Sequence, residues 1–192
     1  MLIVIMGGSS VGKDLILSTI NKQYDIPICV SSTSRPMRIG ETNMVEYDFI
    51  TKDKFLSDYD KGKFVEYRVY ETANGKWYYG LSKDSVDINI TQIVIVDEQG
   101  YYALVKEYGQ QNVLGIYLYA PERVKIDRAL SREVRIDREF FKEFYRRMGD
   151  DLNAFSKCEK DQNVIKVENI ILDNALADIV KILNYKELVS WR

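Results

Sequence analysis

The chain has 192 residues, 46% hydrophobic and 29% charged, with a formal net charge of −2, enough for one folded domain and without the basic excess that nucleic-acid binding needs. Histidine is absent, which removes Ser-His-Asp and Cys-His catalysis and every imidazole-ligated zinc site. The two cysteines, Cys29 and Cys158, are too few for a disulfide framework or a zinc cluster and are expected as reduced thiols in a cytoplasmic protein.

The opening run MLIVIM is apolar over one strand's length, as a buried parallel strand would be. Glycine and serine then interrupt it, so it reads as neither signal peptide nor membrane span. GGSSVGKD (Gly7 to Asp14) follows, and then KDLILSTINKQY, whose Ile16, Leu17, Ile20 and Tyr24 share one helical face. IPICVSS (26–32) reads as a second short strand. From Thr33 to about Ser85 the texture changes. EYDFI, KFVEYRVY and KWYYG are strand-like, KDKFLSDYDKG is helical, and Asn74-Gly75 is a hairpin-turn signal. TQIVIVD and NVLGIYLYAP then read as strands, followed by two arginine-dense helical patterns, PERVKIDRALSREV and DREFFKEFYRRMGDDLNAFSK. NVIKVEN makes a last strand and NALADIVKILNYKEL a closing helix. This alternation predicts an α/β fold with a central parallel sheet and a small, mainly antiparallel insertion. Ligands of such sheets sit beyond the strands' carboxyl ends, where Gly7 and Asp97 should lie.

Strand, glycine loop and helix are the setting of a phosphate-binding loop. The glycines let successive backbone N–H groups turn toward phosphate oxygens, Lys13 adds a charge for the β- and γ-phosphates, and the helix directs its positive end there. Asp14 is unusual, because the residue after Gly-Lys is ordinarily Ser or Thr, whose hydroxyl holds Mg²⁺. Further on, VSSTSRPMRIGE (30–41) sets Arg35 and Arg38 three residues apart behind hydroxyl side chains. They could fork onto a phosphate or form a solvated basic loop.

VSSTSRPMRIGE, EYDF, FVEY and YYG, in that order behind a phosphate loop, resemble the guanylate kinase family, and the resemblance continues through DEQG, the arginine-rich region and VEN. It implies a three-layer P-loop kinase fold: a core (about 1–32, 86–125 and 150–192), a GMP-binding subdomain of mixed or antiparallel strands (about 33–85) and a helical lid (about 126–149). It also implies transfer of the γ-phosphoryl of ATP to GMP with Mg²⁺, giving ADP and GDP. Carried onto this chain, Gly7, Ser9, Ser10, Val11, Gly12, Lys13 and Asp14 would hold ATP, with Asn169 near the adenine. Arg35, Arg38, Tyr47 and Tyr79 would hold the GMP phosphate. Glu66 and Asp97 would accept from the guanine N1 and N2 hydrogens, with Ser31 near the base. Arg128 and Arg132, with Arg146 or Arg147, would close over the transferring group beside Lys13. The implied partners are small-molecule nucleotides rather than nucleic acid or membrane, with the chain a monomer or a homodimer. Phosphoryl transfer needs positioning and positive charge more than acid–base work, which suits a chain without histidine.

Three departures from the family pattern stand out. Asp14 replaces a hydroxyl residue, Ile95 stands where many members have the first Asp of a D-x-D pair, and Leu81 follows YYG where Ser or Thr is usual. The loop between Glu66 and YYG is also longer than usual. Asp14 either coordinates Mg²⁺ in place of the lost groups or caps its helix. Tyr47 and Tyr79 also read as core aromatics, and Glu66 as a solvent-facing acid. Arg128, Arg132, Arg135 and Arg138 also read as partners of Asp127, Glu133, Asp137 and Glu139 on exposed helix faces. Beside a kinase, two other classes fit: a catalytically weak module binding a monophosphate or phosphopeptide, and a P-loop ATPase. A kinase for another (deoxy)nucleoside monophosphate is the near variant of the first.

Overall fold

The computed structural model describes residues 1–38, 40–72, 75–133 and 136–189. In chain order its first half runs β1 (Leu2–Gly7), α1 (Lys13–Tyr24), β2 (Ser32–Thr33), β3 (Asp48–Phe49), α2 (Lys52–Asp60), β4 (Phe64–Thr72) and β5 (Gly75–Ser82). Then come β6 (Gln92–Ile95), α3 (Glu98–Tyr108), β7 (Val113–Tyr119), α4 (Glu122–Arg132), α5 (Arg138–Ala154), α6 (Ser156–Lys160), β8 (Val164–Glu168) and α7 (Leu172–Tyr185).

The main sheet is parallel, in the order β6-β1-β7-β8. All six residues of β1 are buried because both faces of the sheet are covered. Leu2, Val4 and Met6 enter one apolar cluster with Tyr101 and Leu104 of α3, Phe155, and Cys158 of α6. Ile3 and Ile5 point the other way, to Ile16 and Ile20 of α1 and to Ala175, Ile179 and Leu183 of α7. That period-two split makes a three-layer α/β fold. Gly7 pairs with Leu118 at the end of β1, so the glycine loop, Asp97 after β6 and Asn169 after β8 all emerge from the sheet's carboxyl edge. Both thiols are buried, and burial pushes each up to about 12.

The second sheet is mixed, in the order β3-β2-β5-β4. β4 and β5 form a long hairpin whose last described pair is Thr72 and Gly75; Asn74 of the turn signal lies outside the described residues. A register shift between Phe64 and Glu66 bends β4 near its start. Leu81 and Val65 from this hairpin pack into the same cluster as Leu2 and Val4.

Three elements differ from the sequence reading. IPICVSS gives one parallel bridge, Ile28 to Ile93, and its last serine begins β2 in the other sheet. Pro27 has no N–H to extend a ladder beside β6. Helix α3 was not foreseen, although Tyr101, Leu104, Val105 and Tyr108 have helical spacing; Asp97 opens it by accepting the Gly100 N–H at 2.7 Å. The last arginine-dense pattern breaks at Phe155 into α5 and α6. No helix among the described residues is long and apolar enough to cross a membrane.

Candidate active site

Gly7 (φ +149°), Ser10 (φ +59°) and Gly12 (φ +96°) curl the loop back on itself, the backbone form that gathers N–H groups into an anion-binding concavity. A Cβ at Gly12 would also lie 2.7 Å from the Asn169 amide nitrogen. Lys13 Nζ donates to the carbonyls of Gly7 (2.8 Å) and Gly8 (2.9 Å). Burial lowers its pKa against the pull of the Asp14 and Asp151 carboxylates, and the Arg132 and Arg147 charges lower it further. The Ser9 N–H donates to Asp151 Oδ2 at 2.6 Å.

The loop is braced from behind. Asn169, only 1% exposed, donates its amide to the Val11 carbonyl at 2.8 Å, while its Oδ1 is buried without a hydrogen-bond partner among the described residues. Expected near an adenine, it lies beneath the loop. Arg128 donates to the carbonyls of Val11 (3.2 Å) and Ile170 (3.1 Å); Asp127, its alternative partner, faces Arg123 at 3.8 Å. Ser10, Gly12, Lys13, Asp14, Arg128 and Arg132 line a cavity of about 140 Å³. A second, of about 260 Å³, opens between the loop and helices α4 and α5, with Ser9, Arg132 and Arg147 in its wall. Glu143 accepts from Arg147 Nε at 2.6 Å and from Arg146 Nη2 at 2.7 Å, and these arginines, Arg146 first, hold its carboxyl down at about 2. Arg146 also reaches Asp150 at 2.6 Å.

In the segment after Val30, Arg35 is 4% exposed. Its two terminal nitrogens fork onto Glu41 at 2.9 and 2.7 Å, and its guanidinium lies 5.5 and 5.3 Å from the Tyr47 and Phe49 ring centres. Tyr47 packs edge-on against Tyr79 at 5.6 Å. Burial, the neighbouring Tyr79 and the Asp14 carboxylate push the Tyr47 phenol up to about 12. Asp14 therefore has its carboxylate within electrostatic reach of Tyr47. Its side chain is exposed, and helix α1 has Gly12 as its N-cap with no side-chain cap bond, so the capping alternative does not describe it. Arg38 is exposed, and its backbone N–H donates to Glu41 at 2.7 Å.

Glu66 and Asp97 come together on either side of Arg68. Arg68 Nε and Nη2 donate to Asp97 Oδ2 (2.6 Å) and Oδ1 (2.5 Å), and Nη1 lies 3.5 Å from Glu66 Oε2. Glu66 Oε1 accepts the Leu81 N–H at 3.2 Å. Burial raises the Glu66 carboxyl to about 7, with Arg68 opposing and Asp97 adding to the rise. The solvent-facing reading of Glu66 thus gives way to a half-enclosed one. Ser31 is partly buried, and its carbonyl accepts from Asp48 N–H at 3.0 Å.

The guanylate kinase family model matches residues 1–186. The chain belongs to the guanylate kinase family. A guanylate kinase of Wolbachia pipientis is 28% identical over 193 residues, covering 97% of this chain and 90% of its own. One from Thermotoga maritima is 32% identical over 138 residues, 68% of this chain and 63% of its own. The crystal structure of guanylate kinase from Anaplasma phagocytophilum superposes with a TM-score of 0.67 at 20% identity, over 98% of this chain and 87% of that one, and so shares the fold.

Within this guanylate kinase frame, four residues that organise these clusters escaped the sequence reading. Glu41 closes the RPMRIGE stretch and organises both arginines there; its spacing was the available signal. Arg68 alternates with Glu66 and Tyr70 along β4, so it had to share their face. Asp151 and Glu143 had no local signal, since their roles depend on how α5 docks against a loop more than a hundred residues earlier. Leu81, at a position of usual hydroxyls in the family, is 0% exposed and belongs to the apolar core.

Proposed function

We propose that the chain is an ATP-dependent nucleoside monophosphate kinase acting by in-line phosphoryl transfer, with GMP the acceptor expected of its family. One observation supports this reading: beside the Lys13 loop, the Asp14 carboxylate is close enough to the Arg35–Glu41–Tyr47–Tyr79 group to act electrostatically on the Tyr47 phenol. Lys13 and the loop N–H groups would hold the donor's phosphates, and Arg35, Arg38, Tyr47 and Tyr79 the acceptor's. Arg132 and Arg147, whose charges already reach Lys13, would gather around the transferring group when residues of about 126–149 close as a lid. Closure would also keep water from the reacting phosphoryl.

Mg²⁺ is the metal this chemistry implies, supplying charge neutralisation on the donor's phosphates. Among the described residues there is no cluster of three acidic, cysteine or histidine side chains. Mg²⁺ asks for less, since one or two carboxylates plus phosphate oxygens and water suffice. Asp14 fits, as an exposed carboxylate in the wall of the loop cavity. It would stand in for both the hydroxyl after Lys13 and the Asp replaced by Ile95.

ADP formation measured with and without GMP tests the reading. GMP-dependent ADP is expected. GMP-independent ADP would make the chain an ATPase, and monophosphate binding without turnover would make it a binding module. In the same assay Asp14→Asn is expected to raise the Mg²⁺ concentration needed for half-maximal rate, and an unchanged requirement would remove Asp14 from the metal.

A further inference from the structure

Glu66, Arg68 and Tyr70 occupy successive same-face positions on β4, and Asp97 faces them from the start of α3. The hydrogen-bond accounting of this cluster is uneven. Both Asp97 oxygens are taken by Arg68, and Oδ1 also accepts the Gly100 N–H. Glu66 Oε1 holds the Leu81 N–H, which leaves Oε2 as the acceptor with open capacity. Of the five guanidinium hydrogens, two go to Asp97 and one to the Tyr67 carbonyl at 2.5 Å; one of the others lies on the Nη1 beside Glu66 and one on Nη2. The cluster is reachable, with side-chain exposures of 9% for Glu66, 23% for Arg68 and 34% for Asp97. What it presents is one acceptor beside a donor.

We propose that Arg68 sets the base specificity of this site, turning it from the 2-amino group of guanine toward 6-oxopurine monophosphates with a carbonyl or a hydrogen at C2. The argument rests on the monophosphate-acceptor reading given above. Two free carboxylates would accept both the N1–H and the 2-amino hydrogens of guanine. With Asp97 occupied, Glu66 still accepts N1–H, but the 2-amino group meets the guanidinium, donor against donor, and such a mismatch in a half-enclosed site is costly. Hypoxanthine places only C–H there. Xanthine places a carbonyl oxygen, which accepts from Arg68; xanthosine readily loses its N3 proton near neutral pH, adding negative charge at that oxygen, and a charge-assisted bond is the stronger kind.

The test is calorimetric binding of GMP, IMP and XMP to the full chain at pH 7.5, with turnover of each by ATP alongside. XMP is expected to bind at least as tightly as GMP, and IMP within about threefold of it. Arg68→Ala, which frees Asp97, is expected to shift the ratio toward GMP by tenfold or more, with Arg68→Lys intermediate because an ammonium cannot fork onto both oxygens. Wild-type preference for GMP over both others by tenfold, or a ratio unmoved in Arg68→Ala, would overturn the proposal while leaving the kinase reading intact. ATP binding by each variant reports that it is folded. Failure of all three monophosphates to bind a chain that binds ATP would remove the acceptor reading itself, and this proposal with it.

Discussion

The Ser9 N–H, one of the groups a phosphate oxygen would need, is donated in this structure to the Asp151 carboxylate at 2.6 Å. An incoming polyphosphate must displace a like charge from the loop before it can settle there. Asp151→Asn keeps the size and removes that charge, so ATP affinity without Mg²⁺ is expected to rise three- to tenfold, about 1 kcal/mol; weaker binding by calorimetry would show Asp151 helping instead. Glu66 carries a second residue-scale expectation. Burial raises its carboxyl from 4.5 to about 7, so its contribution to stability is fully present below pH 4.5 and is lost as pH rises through 7. Glu66→Gln stays neutral throughout. Its melting temperature is expected to exceed wild type at pH 8, with the gap closing toward pH 4.5; the gap corresponds to at most about 3 kcal/mol.

At the scale of elements, Arg128 ties helix α4 to the phosphate loop through the Val11 carbonyl and to the turn after β8 through the Ile170 carbonyl. Arg128→Ala is expected to speed amide exchange in α4 roughly five- to thirtyfold, the loss of about 1–2 kcal/mol. Arg132, which lines the cavity, is expected to leave exchange unchanged in Arg132→Ala while lowering turnover; matching exchange in the two variants would refute this division of labour. Much of this element structure was legible in the sequence. MLIVIM and NVLGIYLYAP announce buried strands because nothing polar interrupts them, and GGSSVGKD could be placed on a strand–loop–helix junction from its flanks alone. IPICVSS misled because Pro27 deletes a ladder donor from an otherwise strand-like run. The clasp of Arg68 on Asp97 was not legible, because two residues 29 positions apart meet only after the second sheet has docked against α3. Asp151 on Ser9 lies further still beyond local pattern.

For the whole molecule, the decisive contact is between the two sheets. Leu81 and Val65 of the mixed sheet share a cluster with Leu2 and Val4 of the parallel one, so the core on that face of the parallel sheet is completed by the mixed sheet. Unfolding is expected as one transition, with Trp77 fluorescence (measured in Trp191→Phe) and far-ultraviolet dichroism giving the same urea midpoint. Separate midpoints would mean that the β4–β5 hairpin melts independently. Leu81 also has a consequence at that contact. At the position where the resemblance implies a hydroxyl near the base, Leu81 instead fills the contact between the hairpin and the parallel sheet. Restoring Thr there would bury a hydroxyl in that contact, at about 1–3 kcal/mol if it found no acceptor. One side chain thus sits where the packing between the two sheets and the polarity beside Glu66 would change together.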